Sequence, residues 1–346
     1  MFTSSVAQPL AVHVAVAVIR YQDHYLLGYR HQHQHQGGRY EFVGGKIEAD
    51  ERAVAALCRE VEEETGICIH TCHKLKLGRL HHDYGDKCVC LHVYEVCLSS
   101  AQYAKHQYQD QGLEGQTLTW VGKEALLAGH YPLPAANATI LAWLRLPRVV
   151  GISYPLSAFN EADRPNQAWL EYHLQLPQYS ALYTRPKANA LTEHAIIDSL
   201  LTQRPDLYVM APYTASAHLG QVHHINQRTL LSWYDAPDSF SFATPLPLFI
   251  SCHDRASIEA ANCLAQQRLA ADLSPVVGIF LSPVHATATH PDAAPLGWEA
   301  FSELADIADV PVVALGGIRP DMAQVAAQYG AYAVAGIRAF MPSMTT

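Results

Sequence analysis

The stretch from Gly45 to Ile67 constrains this chain more than any other. Within it, Glu60, Glu63 and Glu64 stand at i, i+3 and i+4, so on a helix they share one face. Three carboxylates crowded on one face repel one another. A helix accepts that cost when a cation neutralises them, and hard divalent cations take oxygen ligands. Arg59 is placed to pair with a neighbouring carboxylate and hold the array. A solvated acidic helix ending at Gly66 is the plain alternative, but it does not require Gly45, Glu51, Arg59, Val61 and Ile67 at these spacings. The pattern predicts a helix from about Glu51 to Thr65, closed by Gly66 as a C-terminal cap.

Around this segment the chain reads as alternating strands and turns. Ala11–Arg20 is a buried strand by its apolar, β-branched run, and Tyr25–Tyr29 returns as a second. His31, His33 and His35 alternate with glutamines before Gly37-Gly38, which suits a solvated loop better than a metal site of fixed geometry. Further strands are expected near Lys74–Leu80, Lys87–Leu98 and Leu118–Val121, and a helix from about Ala136 in the segment ending at Leu146. Cys68, His70, Cys72 and His73 lie close together, yet Cys68–Cys72 alternates like a strand rather than like a zinc motif.

The length of 346 residues favours two domains. A short linker, Arg145–Arg148, marks the boundary, so the expected domains are residues 1–146 and 147–346. The net charge of −9 argues against direct nucleic-acid binding. No apolar run reaches the roughly 20 residues of a membrane span. The N-terminal ten residues lack a secretory pattern, and the eight cysteines form no CxxC pair, so a reducing cytoplasm is expected.

The Gly45–Ile67 segment resembles the Nudix box, G-x5-E-x7-R-E-U-x-E-E-x-G-U, with U a bulky apolar residue; Gly45, Glu51, Arg59, Glu60, Val61, Glu63, Glu64, Gly66 and Ile67 fill every fixed position. The flanks are most similar to MutT-type members. Tyr40–Glu48 matches their glycine turn, with Val43 where proline is usual; Glu114-Gly115-Gln116 with Trp120 and Pro134–Asn137 match later elements. The resemblance implies a Nudix α/β/α sandwich that hydrolyses a nucleoside triphosphate to the monophosphate and pyrophosphate with Mg²⁺, Mn²⁺ being the alternative ion. It implies Glu60, Glu63, Glu64 and Glu114 as catalytic, metal-ligating carboxylates, aided by the Gly44 carbonyl. Which of them acts as general base stays open. Arg30 and Glu41 are implied at the substrate. Asn137 either reads a purine edge, through the paired donor and acceptor of its amide, or caps a helix. The implied substrate is 8-oxo-dGTP, which links the protein to DNA replication and repair through the nucleotide pool.

After the linker the pattern changes to apolar strands alternating with helices: Arg148–Pro155, Ser180–Thr184, Leu207–Ala211, Gln221–Ile225, Pro247–Ser251, Val276–Leu281, Val312–Leu315 and Ala331–Ala335. Eight strands with crossovers read as a C-terminal (β/α)₈ TIM barrel with some helices abbreviated. Tyr183–Lys187, Ser251–His253, Ser282–Pro291, Pro295–Gly297 and Val313–Ile318 resemble thiamine-phosphate synthases and TenI-like proteins. The resemblance implies phosphate binding at the glycine turns Gly316, Gly317 and Gly336. The synthase's metal-binding aspartates are replaced, the first at Ala211-Pro212-Tyr213 and the second near Arg228-Thr229. The barrel is then a phosphate-ligand pocket, a TenI-like protein or a support for the first domain; the expectation carried forward is that it binds a phosphorylated, thiamine-related ligand without Mg²⁺ and has no synthase activity. The competing reading is a bifunctional thiamine-linked protein whose Nudix domain cleaves a thiamine precursor diphosphate.

Overall fold

The computed structural model describes residues 11–31, 37–83, 87–214, 219–237, 242, 244–287 and 294–343. The chain divides into two compact units, Met1–Leu141 and Ala142–Thr346. His33 and His35 of the His/Gln run, and Ala288–Pro291 of the barrel motif, lie outside the described residues.

Unit 1 contains β1 (Val12–Tyr21), β2 (His24–Tyr29), β3 (Tyr40–Glu41), β4 (Val43–Lys46), α1 (Ala53–Thr65), β5 (Lys74–Asp83), β6 (Cys88–Cys97), α2 (Ser100–His106), β7 (Thr117–Gly122), α3 (Lys123–Leu127) and the start of α4 (Asn137–Leu144). The strands form one mixed sheet ordered β3-β2-β1-β6-β5, with β4 paired to β1 and β7 to β2. β1 and β6 run parallel; β4 lies antiparallel to β1 with Ala15 opposite Gly45. Ala15, Ala17 and Ile19 of β1 pack with Ala56, Leu57 and Val61 of α1 and with Ile67 and Ile69. The two small side chains on β1 let the helix approach closely. Burying each aliphatic side chain of Leu or Val size contributes roughly 1.5–3 kcal/mol, enough to hold the apolar side of α1 down while its other side carries like charges.

Three local expectations change. α1 begins at Ala53, so Glu51 precedes the helix; its carboxylate accepts a hydrogen bond from the Glu48 N–H at 3.2 Å instead. Cys68–Cys72 is a turn, because Ile69 is drawn into the core and Cys72 N–H bonds back to Ile69 O at 3.0 Å. A capped helix, α2, follows β6; Ser99 and Gln102 form a reciprocal capping box.

Unit 2 is a closed parallel barrel of β8 (Val149–Ile152), β9 (Ala181–Tyr183), β10 (Tyr208–Pro212), β11 (Val222–Ile225), β12 (Leu248–Cys252), β13 (Val276–Leu281), β14 (Val312–Leu315) and β15 (Ala333–Gly336). β15 pairs with β8 and closes the ring. Helices α5 (Pro165–His173), α6 (Ala190–Gln203), α7 (Gln227–Asp235), α8 (Arg255–Ala270), α9 (Gly297–Ile307) and α10 (Ala323–Gln328) cross between the strands. The eight expected strands form, and helices are indeed missing or shortened: no helix among the described residues joins β10 to β11, and α10 is a stub. α5 and α7 are crossovers that apolar periodicity did not single out. Phe249 and Phe280 fill the interior with ring centroids 4.4 Å apart. No helix among the described residues is long and apolar enough to cross a membrane.

Candidate active site

In unit 1 the carboxylate array is organised by a single guanidinium. Arg59 donates from Nε and Nη2 to the two oxygens of Glu51 at 3.1 and 2.9 Å, a bidentate pair. Its Nη1 donates to Glu60 at 2.8 Å and to Glu63 at 3.1 Å, and Nη2 also reaches the Lys46 carbonyl at 3.0 Å. These partners, Glu51 first, hold the guanidinium well above its ordinary pKa. Gly45 explains its own identity: a Cβ there would fall inside the Glu60 carboxylate. Gly44 is equally constrained, since a Cβ would overlap the Ala15 carbonyl oxygen.

Glu64 stands apart from this network. Its carboxylate accepts only a 3.3 Å hydrogen bond, from the Gly44 N–H, among the described contacts. Burial raises its pKa to about 8, with the charges of Glu41, Glu114 and Glu60 adding to the rise. Glu41, on β3, is likewise raised to about 7 by burial, against the pull of Arg30, whose Nε lies 3.1 Å away. Four carboxylates thus bear on one place. Arg59 neutralises Glu60, but among the described residues no basic group is paired with Glu64. Oxygen donors crowded this way fit Mg²⁺ or Mn²⁺, and Glu60 and Glu64 are the residues best placed to hold one. Glu63 points its charge to Arg59 and is 55% exposed, so the structure separates it from Glu64.

Glu114 comes from the loop before β7, which is tied to the end of α1. Leu113 N–H and Gln116 Nε2 both donate to the Glu64 carbonyl, at 2.8 and 3.2 Å. The loop is therefore fixed to the helix that carries the array, although the Glu114 side chain is exposed. Asn137 is the first residue of α4 rather than the residue before it; its N–H bonds to Pro134 O at 2.9 Å. The residue is largely buried. The loop leading to it docks on β3 through Tyr40 N–H to Pro132 O at 2.9 Å, and Tyr131 stacks edge-on against Tyr40. Sequence reasoning missed the Gln116 tether; the amide at a fixed offset from Glu114 was the available signal.

In unit 2 a cavity of about 890 Å³ opens at the C-terminal ends of the strands. Gly316, Gly317 and Gly336 line it. Gly316 and Gly317 have φ of 98° and 66°, where a side chain would be strained and would also strike Pro283 or His285. Arg185, Arg338, His224 and His253 contribute to the same wall, and no Asp or Glu lines it among the described residues. His224 Nε2 and Ser251 Oγ lie 2.8 Å apart, and burial pushes the imidazole pKa down to about 3, with Arg185 adding to the effect. His253 Nδ1 is 2.7 Å from the Ser282 carbonyl. His224 and Arg338 were missed from sequence. The signal for His224 was its position near the end of a barrel strand, where barrel sites are built.

Residues 14–143 match the family model described as NUDIX domain, and residues 248–340 match that described as thiamine monophosphate synthase. Over 136 residues the chain is 30% identical to CTP pyrophosphohydrolase of Escherichia coli (strain K12), covering 38% of this chain and 88% of that protein. Over 86 residues it is 35% identical to 8-oxo-dGTP diphosphatase of Proteus vulgaris, covering 25% of this chain and 75% of the relative. In the barrel, 63 residues are 41% identical to a protein named "Putative thiamine-phosphate synthase 2" from Aquifex aeolicus (strain VF5). That match covers 18% of this chain and only 34% of the relative's length.

Proposed function

This chain belongs to the Nudix family, and on that premise we propose that unit 1 is a Mg²⁺-dependent nucleoside triphosphate pyrophosphohydrolase whose preferred substrate is 8-oxo-dGTP, cleaved to 8-oxo-dGMP and pyrophosphate. The observation that carries the reading is the cluster of Glu60, Glu64, Glu41 and Glu114, where burial and mutual repulsion push Glu64 up to about 8. Such a site gains most from a cation and then from the anionic triphosphate that the cation tolerates. Mg²⁺ held there supplies charge neutralisation of phosphate oxygens and a lowered water pKa. Arg59 keeps Glu60 in place; Gly44 and Gly45 leave room for the carboxylates; Glu64 or Glu114 takes the proton of the attacking water. Arg30 is a contact for the phosphates, held ready by Glu41.

Base preference rests on Asn137. A largely buried amide, carrying both a donor and an acceptor, is suited to a bidentate pair with a purine edge. A pyrimidine triphosphate is the second reading, favoured by the 30% identity to CTP pyrophosphohydrolase. For unit 2 we propose binding of a phosphorylated, thiamine-related ligand on Gly316, Gly317 and Gly336, without Mg²⁺ and without synthase chemistry. Support comes from an arginine- and histidine-lined cavity with no carboxylate among the described residues. The test of unit 1 is pyrophosphate release from 8-oxo-dGTP, dGTP, CTP and a thiamine precursor diphosphate, with Mg²⁺ and with chelator. The highest kcat/KM for 8-oxo-dGTP supports the proposal. A preference for CTP moves the assignment to the second reading, and a preference for the thiamine compound moves it to a bifunctional one.

A further inference from the structure

Away from the carboxylates, the sheet of unit 1 gathers a second set of ligand-type side chains. His13 of β1 lies directly opposite Cys90 of β6, and Cys90 lies directly opposite His81 of β5. Directly opposed residues on neighbouring strands share a face of the sheet. His92, two residues along β6 from Cys90, shares it too. His13, Cys90 and His92 present ligand atoms all within 4.8 Å of one another. His13 Nδ1 is 2.9 Å from His92 Nε2, and Cys90 Sγ is 3.7 Å from both His92 Nε2 and His81 Nε2.

The two Cys90–histidine separations are close to those of a coordination shell. With metal–nitrogen bonds near 2.0–2.1 Å and a metal–sulfur bond near 2.3 Å, the edges of a tetrahedron are about 3.4 Å for N···N and about 3.6 Å for N···S. To admit an ion the His13–His92 pair has to open by about half an ångström, and His81, 3.7 Å from Cys90 Sγ but outside the group of mutually close ligand atoms, has to swing in to complete the shell. The donors are imidazole and thiolate, unlike the oxygen donors of α1, so the two sites select different metals. The Glu62, Cys68 and His70 group is weaker, since all three are exposed.

We propose that His13, Cys90 and His92, with His81 as fourth ligand, form a site for Zn²⁺ or a similar borderline-soft divalent metal that staples β1, β6 and β5 together. Binding breaks the His13–His92 contact and the S–H bond of Cys90. The thiol proton leaves to solvent, and His13 turns its proton to Nε2 so that Nδ1 can coordinate. One proton is released per metal bound.

The test uses the full chain, stripped with chelator and titrated with Co²⁺ in excess Mg²⁺, which keeps the carboxylates occupied. The expected result is a near-ultraviolet thiolate-to-cobalt band and tetrahedral visible absorption, saturating at one equivalent and displaced by Zn²⁺. Cys90→Ser abolishes the band, and so does His13→Ala, a change at an exposed residue that leaves the fold intact. Cys68→Ser leaves it unchanged. No thiolate band, a band that survives His13→Ala, or one that disappears in Cys68→Ser overturns the proposal. The pyrophosphohydrolase reading is unaffected by any of these results.

Discussion

At the residue scale the most informative group is Glu64, because its neighbours make its charge costly. Its folded pKa, about 8, lies above the ordinary 4.5 of a free carboxylate. The folded state therefore holds the proton more tightly than the unfolded chain. The stability this gives is complete below pH 4.5 and is lost as the pH rises through about 8. In chelator, the Tm of the wild type relative to Glu64→Gln is expected to fall across that window, and Mg²⁺ to abolish the difference. A pH-independent gap between the two proteins would break the link between Glu64 and the cation. Glu64→Gln should also lower kcat by roughly 10²–10⁴-fold, the range for losing a group that holds or moves a proton at the reacting water. Near-normal turnover would remove Glu64 from the mechanism. At Asn137 the loss of a bidentate base contact is worth about 1–3 kcal/mol of discrimination. Asn137→Ala should therefore narrow the kcat/KM ratio of 8-oxo-dGTP to dGTP about 5- to 150-fold, with Mg²⁺ dependence unchanged. Equal losses for the two nucleotides would reduce Asn137 to a packing residue at the start of α4.

At the element scale, α1 is a helix whose two sides answer to different forces. Ala56, Leu57 and Val61 bury against β1, while Arg59, with its bidentate fork on Glu51, orders the charged side. A lysine cannot span Glu51, Glu60 and Glu63 at once, since it offers a point charge rather than a planar fork. Arg59→Lys is expected to raise the Mg²⁺ concentration for half-maximal activity and lower kcat, with little change in Tm; unchanged Mg²⁺ dependence would show that the array needs no such clamp. The helix stops at Gly66, whose φ of 72° is left-handed and whose N–H bonds to Glu62 O. Gly66→Ala should cost about 1 kcal/mol through that backbone angle, read as a lower midpoint in denaturant.

At the scale of the whole molecule, two units carry separate sites with opposite electrostatics. Unit 1 gathers carboxylates; the cavity of unit 2 is lined by Arg185, Arg338 and two histidines. Calorimetry on the full chain in chelator should show inorganic phosphate or pyrophosphate binding that survives Glu64→Gln and is lost in Arg185→Ala. A coupled assay with the two thiamine-phosphate synthase substrates should give no product, with or without Mg²⁺. Binding that requires Mg²⁺, or product in the assay, would mean that other groups replace the missing aspartates.

The sequence by itself determined the elements and the identity of the array. Glu60, Glu63 and Glu64 share a helix face by spacing alone, Gly66 announces the end of that helix, and eight apolar segments foretell the barrel, because all of these depend on periodicities of a few residues. It could not show that Glu51 lies outside α1, that Glu63 is taken up by Arg59 while Glu64 is left among Glu41 and Glu114, or that Gln116 binds the loop carrying Glu114 to the end of the helix. Nor could it bring His13 beside Cys90 and His92, residues nearly eighty apart in the chain. Those facts follow from strand register and from which side chains are buried, and both are set only when distant segments pack.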